Sequence, residues 1–309
     1  MDFDLSDEQM TVQSGIDQLL SRHRGTAPLG SVAEYVQSNA LEEDLRESGF
    51  LDLAREEGMG PLDASLLVEA VARLPFAVEV AASAMVAPML TQADFPRPLA
   101  LARAPLGGPI RFLSGQGSII VDCGDHVRLL SGAACEIAPV KGSFAYPYAR
   151  VVKAELATAP VIGNLAPEVM RQWWQVALCF EIIGAAQASL DTVVDYVRTR
   201  RQFGKPLGAF QAIQHRLAEC ATLLHGARLM ARYAAWSGDA SDAALAAGYA
   251  QDLAKQLCYE AHQFHGAIGL TLEYPLHFWT YRLRILQGEL GGATAQYRQA
   301  TGRLWHDAA

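Results

Sequence analysis

RTRRQFGKPLGAFQAIQHRLAE, residues 198–219, joins the two helices around which the rest of the fold is organised. Gly204, Pro206 and Gly208 interrupt the helical pattern within five residues, as a reversal between antiparallel helices requires. The segments on both sides are long and largely apolar. The stretch therefore predicts a helical hairpin within a larger helical unit.

Three arginines, Arg198, Arg200 and Arg201, lie at the carboxyl end of the first of these helices, next to Phe203. Cations at this end interact favourably with the helix dipole, so a charged cap explains them without any ligand. A planar guanidinium also matches a phosphate group, and a neighbouring aromatic ring can cover a flat ligand. The residues alone leave both interpretations open, a helix cap and an anion clamp.

The string RRQFGKPLGAFQAIQ resembles the hallmark segment of the acyl-CoA dehydrogenase flavoproteins. A second segment, HQFHGAIGLTLEYPLHFWTYR at residues 262–282, resembles the FAD segment of the same family, and the two occur in the family's order. The resemblance extends from Pro167 to the C-terminus, is looser over the first hundred residues and is weak between them. It implies a mainly α fold with a small β domain: an N-terminal helical domain, a reduced middle antiparallel β domain and a C-terminal four-helix bundle.

The hydrophobic pattern divides the chain into three units, residues 1–106, 107–160 and 161–309. The first unit is predicted to be helical and to end in a proline-rich linker, DFPRPLALARAPLGGP. Its helices are expected over residues 6–24, 32–47, 62–74 and 77–90. In the first of them, Ser6 is the predicted N-cap, and the residues predicted to face inward are Met10, Ile16, Leu19 and Leu20.

The second unit is predicted to be a small sheet, because apolar and polar residues alternate between glycine turns from Ile110 to Glu155. This pattern favours short antiparallel strands. The third unit has long amphipathic segments with short connections, which predicts an up-and-down bundle. Its helices are expected over residues 167–200, 210–236, 239–265, 277–290 and 294–305.

Composition and charge exclude several classes of partner. The chain is 51% hydrophobic and 19% charged, with a net charge of −8, whereas phosphate backbones are bound by basic surfaces. The acidic start, MDFDLSDEQM, lacks the pattern of a secretion or transit peptide, and no uninterrupted apolar run has membrane-spanning length. The five cysteines are widely spaced, without a CxxC pair, and are expected to be reduced thiols. We therefore expect a cytoplasmic protein that binds neither nucleic acid nor membrane.

The resemblance implies an FAD cofactor shared at a subunit interface. Arg200 would pair with the FAD diphosphate, Gln211 would form a hydrogen bond with it, and Phe203 would flank the cofactor. The later segment would bring its backbone close to the diphosphate of a neighbouring subunit; its residues are Gln263, Phe264, His265, Gly266 and Ala267. A helix C-cap followed by a turn explains that segment without a ligand. No histidine pair has the spacing of a metal site, so no metal is expected.

The catalytic base of the family has no counterpart where the resemblance predicts it. Its two alternative positions fall on Gly291 and Trp174, and neither residue is acidic. Glu289 and Glu181 are the nearest carboxylates, although an ordinary charged helix residue is the simpler explanation of each. The Thr-Glu-Pro, Gly-Ser-Asp and Trp-Ile-Thr loops, which hold the flavin ring in the family, are also missing.

A retained clamp without a base points to a subunit that completes another subunit's site. The resemblance is strongest to the small, non-catalytic subunits of heteromeric (α2β2) acyl-CoA dehydrogenases of bacterial steroid side-chain degradation. It implies a larger catalytic partner, which would bind most of the acyl-CoA, and an electron-transfer flavoprotein or similar acceptor. Two alternatives stay open: a self-sufficient homotetrameric flavoenzyme with Glu289 or Glu181 as a displaced base, and a helical scaffold without flavin.

Overall fold

The computed structural model describes residues 4–24, 29, 35–141, 145–162 and 167–306, with side chains described up to residue 302. Helices predominate, and a small β region separates two helical regions along the chain. The predicted fold class, mainly α with a small β domain and a C-terminal bundle, is confirmed. The three domain boundaries stay a prediction.

The first helical region contains α1 (Asp7–Ser21), α2 (Asn39–Glu47), α3 (Pro61–Ala72) and α4 (Ala87–Leu90), the last preceded by a π-helical turn at Ala82–Val86. Ser6 caps α1 as predicted: its hydroxyl accepts a hydrogen bond from the Gln9 amide at 3.2 Å, and the Gln9 side chain accepts one from the Ser6 amide at 3.1 Å. Such a reciprocal pair is a capping box.

Three details of this region differ from the sequence-based expectation. Met10 does not face inward but is 51% exposed, because the buried stripe of α1 runs through Val12, Ile16 and Leu20 at helical spacing. The second helix begins only at Asn39, where the Ser38 hydroxyl caps it by accepting from the Leu41 amide; residues 32–34 of the predicted helix lie outside the described residues. Residues 77–80 are not helical.

The buried carboxylate of Glu79 explains why the helix after residue 80 begins late. Its Oε1 atom accepts hydrogen bonds of 3.0 Å from the amides of Ala82 and Ser83, and its Oε2 atom accepts from the Ser83 hydroxyl at 2.7 Å. The side chain thus satisfies amides that lack a partner at a helix start. Glu79 therefore acts as a cap, and a cap lies outside the helix that it begins.

The β region consists of two three-stranded sheets. Its strands are β1 (Leu99–Arg103), β2 (Ile110–Arg111), β3 (Ser118–Asp122), β4 (Val127–Ser131), β5 (Glu136–Pro139) and β6 (Tyr148–Lys153). One sheet has the order β1-β3-β4 and the other β2-β6-β5. The strands predicted between Ile110 and Glu155 pair antiparallel with one another, as expected. The predicted linker was wrong in part, because it contains β1, which runs parallel to β3 and whose Ala100 and Ala102 are buried.

The C-terminal region contains the predicted bundle. Its helices are α5 (Pro167–Thr199), α6 (Gln211–Ser237), α7 (Ala240–His265), α8 (His277–Leu286) and α9 (Gly292–His306). The helix predicted over 277–290 ends early, because the chain turns at Gly288 and then adopts left-handed conformations at Leu290 (φ 53°) and Gly291 (φ 91°). All five cysteines are free thiols.

Helix α5 is the central element, packed against α3, α6, α7 and α8. By length and composition it is able to span a membrane, but most of its apolar stretch is buried inside the protein, as in a core helix. Gly184 allows α3 to approach closely: a Cβ atom there would lie 2.3 Å from the carbonyl oxygen of Glu69 and 2.7 Å from the Cβ of Ala72.

We expect Gly184→Ala to lower the free energy of unfolding by about 1–3 kcal/mol, the usual cost of overpacking a core. Gly302→Ala in α9 is the matched control, because an added Cβ there meets nothing within 4 Å and alanine is the better helix former. Urea unfolding of both variants measures the difference. Equal midpoints would contradict the close contact between α3 and α5.

Candidate functional site

The two segments that carry the resemblance lie at one end of the bundle. A shared apolar cluster supports both: it contains Val193 and Val197 of α5, Ala261 and Phe264 of α7, and Leu276. The turn after α5 and the end of α7 are therefore fixed to each other through the core. Their exposed residues form one surface, which we call the clamp surface: Arg200, Phe203, Gln211, Gln263, Gly266 and Ala267.

The turn in the clamp surface holds an aromatic ring in solvent. Strands β7 (Arg201–Gln202) and β8 (Lys205–Pro206) pair in an antiparallel ladder, and the residues between them, Phe203 and Gly204, have φ angles of 54° and 82°. Glycine adopts such a conformation freely, whereas a bulky residue does so at a cost. The Phe203 side chain is 88% exposed. A strained backbone that exposes a large ring is more typical of a contact site than of a structural turn.

Positive charge accumulates at and next to the clamp surface. Arg198, Arg200, Arg201 and Lys205 are all exposed, and none of them forms an ion pair with a residue that the structure describes. The backbone of Arg200 is fixed by hydrogen bonds of 2.8 Å, one to the Tyr196 carbonyl and one from the Leu207 amide. The backbone that carries the side chain is therefore fixed, and the exposed guanidinium group is available to an anion.

The segment at the end of α7 exposes part of its backbone to solvent, and two of its side chains pack against the core. The side chains of Phe264 and His265 are buried, whereas Gln263, Gly266 and Ala267 are exposed. Gly266 has a φ of 61°, which favours glycine. Of the residues predicted to bind FAD here, Phe264 and His265 thus have side chains that face the core.

His265 is held as a neutral ring. Its Nδ1 atom lies 2.8 Å from the carbonyl oxygen of Ala261, so this nitrogen is the donor. The ring stacks on Tyr196 with centroids 4.6 Å apart, and burial lowers the pKa of His265 below its usual value. It therefore stabilises the turn by packing and adds no positive charge to the clamp surface.

Glu181 and Glu289, the two candidate bases, meet inside the protein on one arginine. The Nη1 and Nη2 atoms of Arg111 donate to the two carboxylate oxygens of Glu181 at 2.5 and 2.7 Å. The Nε and Nη2 atoms of the same residue donate to Glu289 at 3.2 and 3.1 Å. The cluster joins β2, α5 and the segment after α8, and each of the three side chains is largely buried.

The electrostatics of this cluster follow from its burial. Burial raises the pKa of Glu289 and Glu181 raises it further, although Arg111 opposes both effects. For Arg111, burial lowers the pKa, but the two carboxylates outweigh it and hold the pKa well above the usual value. A cavity beside the cluster, lined also by Trp174, has a volume of about 20 Å³. It is large enough for a water molecule, whereas pockets for small-molecule ligands are usually roughly 300–1,000 Å³.

Comparison with known proteins shows which family the bundle resembles. Residues 172–302 match the model for the acyl-CoA dehydrogenase C-terminal domain. The chain is 33% identical over 204 residues to acyl-CoA dehydrogenase FadE34 of Mycobacterium tuberculosis. The bundle of this chain is thus similar to the C-terminal domain of acyl-CoA dehydrogenases. The alignment with FadE34 covers 62% of this chain but only 28% of the relative.

Solved structures show that this chain shares the fold of acyl-CoA dehydrogenases over nearly its whole length. A variant of the Tcur3481–Tcur3483 steroid ACAD superposes with a TM-score of 0.79 at 20% identity, covering 98% of this chain and 99% of that chain. The ChsE4–ChsE5 complex from Mycobacterium tuberculosis gives a TM-score of 0.72 at 20% identity, with 99% of each chain covered. At this level of identity, the likeness supports the fold alone.

Neither position at which the resemblance predicts the base holds an acid. Trp174 is buried beside the Arg111 cluster, and Gly291 is exposed in the turn two residues after Glu289. Sequence reasoning missed Arg111, because alternation along IRFLSG gives no sign that it points towards the bundle. The available signal was indirect: Glu181 lies in an apolar helix, and its nearest cation in the sequence, Arg171, is ten residues away. Among the described residues, no group of three His, Cys, Asp or Glu side chains is placed to hold a metal ion.

Proposed function

We propose that this chain is the accessory subunit of a heteromeric (α2β2) FAD-dependent acyl-CoA dehydrogenase. The observation that carries the proposal is the engagement of both candidate bases by Arg111. A general base must reach the proton that it removes, and these carboxylates are held by one guanidinium group beside a cavity of about 20 Å³. We therefore assign proton abstraction to the partner.

The clamp surface would complete the partner's FAD site. Arg200 would neutralise the diphosphate, Gln211 would form a hydrogen bond with it, and the left-handed turn at Gly266 would let the backbone approach. Phe203 would flank the cofactor with its exposed ring. The fit rests on the exposed cations of this turn, which form no ion pair with any described residue. When bound, FAD supplies the acceptor for the substrate's β-hydride.

The substrate class follows by analogy with named relatives. One structural neighbour is described as a steroid ACAD, and another is the ChsE4–ChsE5 complex, which contains two different chains. We accordingly propose a bulky acyl-CoA thioester, such as a steroid side-chain ester, bound mainly by the partner. Electrons would pass to an electron-transfer flavoprotein or similar acceptor, and the complex would be cytoplasmic.

The test is the flavin content of the chain purified alone and after co-expression with a full-length family member encoded beside it. We expect a colourless lone chain and a complex with one FAD per pair of chains. A lone chain with one FAD per protomer and turnover would instead support the self-sufficient homotetramer, and Glu289→Gln and Glu181→Gln would then locate its base. Absence of flavin from both preparations would favour the scaffold.

A further inference from the structure

A cavity of about 760 Å³ lies between the first helical region and the bundle. Residues of α1, α3, α5, α6 and the start of α8 line it, and it shares no lining residue with the cavity beside Arg111. Its volume is within the usual range for small-molecule sites. The cavity is therefore large enough for a ligand and separate from the Arg111 cluster.

One part of the cavity lining is apolar. Leu20, Leu66, Leu74 and Ala188 are buried and form its floor, and half-buried rings of Phe278 and Trp279 form one wall; all six line the cavity. Removing apolar surface of a ligand from water at such a floor is favourable in proportion to the area covered. The site thus favours a molecule with an apolar body.

The arginines that line the cavity are already engaged by acids of the same cavity. Three ion pairs account for three of them: Arg24–Asp17 at 2.9 Å, Arg73–Asp191 at 3.1 Å and Arg228–Glu69 at 2.9 Å. The fourth, Arg232, is half-buried and also interacts with Glu69. An anionic ligand would have to compete with these internal acids for its cation.

Asp195 is the acid of the lining that has no ion-pair partner among the described residues. It is exposed and lies one helical turn beyond Asp191 on α5. The neighbouring Thr192 hydroxyl donates to the Ala188 carbonyl at 2.7 Å, so its oxygen can still accept a bond. The indole N–H of Trp279 already donates a hydrogen bond to the Arg73 carbonyl oxygen at 3.0 Å. The polar part of the cavity therefore offers acceptors to a ligand.

We propose that this cavity is a second ligand site, which takes an amphipathic molecule with an apolar body and a hydrogen-bond-donating head, a protonated amine above all. The apolar body lies on the floor of leucines, and the head lies against Asp195. A carboxylate head is disfavoured because Asp195 repels it and the arginines are paired. The proposal does not depend on the accessory-subunit role.

Three probes with the same chain and different heads test the site: dodecylamine, 1-dodecanol and dodecanoate, each below its micelle concentration. Calorimetric titration of the full chain should show one dodecylamine per chain, bound roughly tenfold more tightly than dodecanoate, with dodecanol between them. Asp195→Asn should remove most of this preference, and Ala70→Leu, which narrows the cavity, should weaken the binding of all three probes. Glu219→Gln, an exposed acid outside the lining, is the control and should change nothing.

Tryptophan fluorescence locates the bound probe, because Trp279→Phe should remove the spectral change while the heat of binding remains. Equal affinity for all three heads, unaffected by Asp195→Asn and Ala70→Leu, would show nonspecific partitioning and overturn the proposal. Absence of saturable binding would also overturn it. Binding to the lone chain that disappears in the co-expressed complex would assign the cavity to a partner chain and not to a small ligand.

Discussion

Arg111→Met is expected to lower the free energy of unfolding by about 3–5 kcal/mol, the usual cost of removing one partner from a buried ion pair. Methionine keeps much of the length of the arginine side chain but leaves Glu181 and Glu289 buried without their shared cation. Denaturant unfolding of the lone chain at neutral pH measures the loss. This is the largest effect on stability that we expect from one substitution.

The loss should depend on pH in a defined direction. Burial already raises the pKa of Glu289 in the folded chain, and Arg111 opposes the rise. Without Arg111, the folded-state pKa rises further above that of the unfolded chain, so the folded state binds more protons in the interval between the two values. Stability then falls as pH rises through that interval. The Arg111→Met variant should therefore lose less stability relative to the parent chain at pH 5.5 than at pH 8.

The triple variant Arg111→Met, Glu181→Met, Glu289→Met is the control for this experiment. It removes all three charges together, and replacement of a whole buried ion cluster by hydrophobic residues of similar volume is often close to neutral for stability. Most of the lost stability should return, together with a flat pH dependence. An Arg111→Met variant with an unchanged midpoint would contradict the burial of the cluster.

Local sequence signals predicted the bundle well. The breakers at Gly204, Pro206 and Gly208 correctly separate α5 from α6, because turn chemistry is set by residues within the turn itself. The errors lie where a distant partner decides the local structure. Strand β1 belongs to a sheet only through its parallel pairing with β3, and the start of the helix after Glu79 is set by a buried carboxylate cap.

The two candidate sites differ in the same way. The clamp surface was predicted because its residues lie in two continuous strings, each close to a helix end. The Arg111 cluster was missed because its members are 70 and 178 residues apart in the chain. Hydrophobic alternation specifies which residues a strand buries, but it does not identify the acid that a buried cation will meet.

Arg200→Ala is expected to release FAD from the co-expressed complex. A charge-assisted contact between arginine and phosphate contributes about 1.5–3 kcal/mol, so FAD should bind roughly tenfold to a hundredfold more weakly. Visible absorbance after gel filtration measures the flavin that remains. Arg198→Ala is the matched control, because Arg198 is exposed at the same helix end and is also unpaired within the described structure, yet it is not among the residues assigned to the diphosphate.

Excess FAD separates the clamp role from a catalytic one. If the base lies on the partner, saturating FAD should restore turnover of the Arg200→Ala complex, since Arg200 contributes binding and not proton transfer. Full flavin content in that variant would refute the clamp. Restored flavin without restored turnover would place Arg200 in the reaction itself, which the accessory-subunit proposal does not allow.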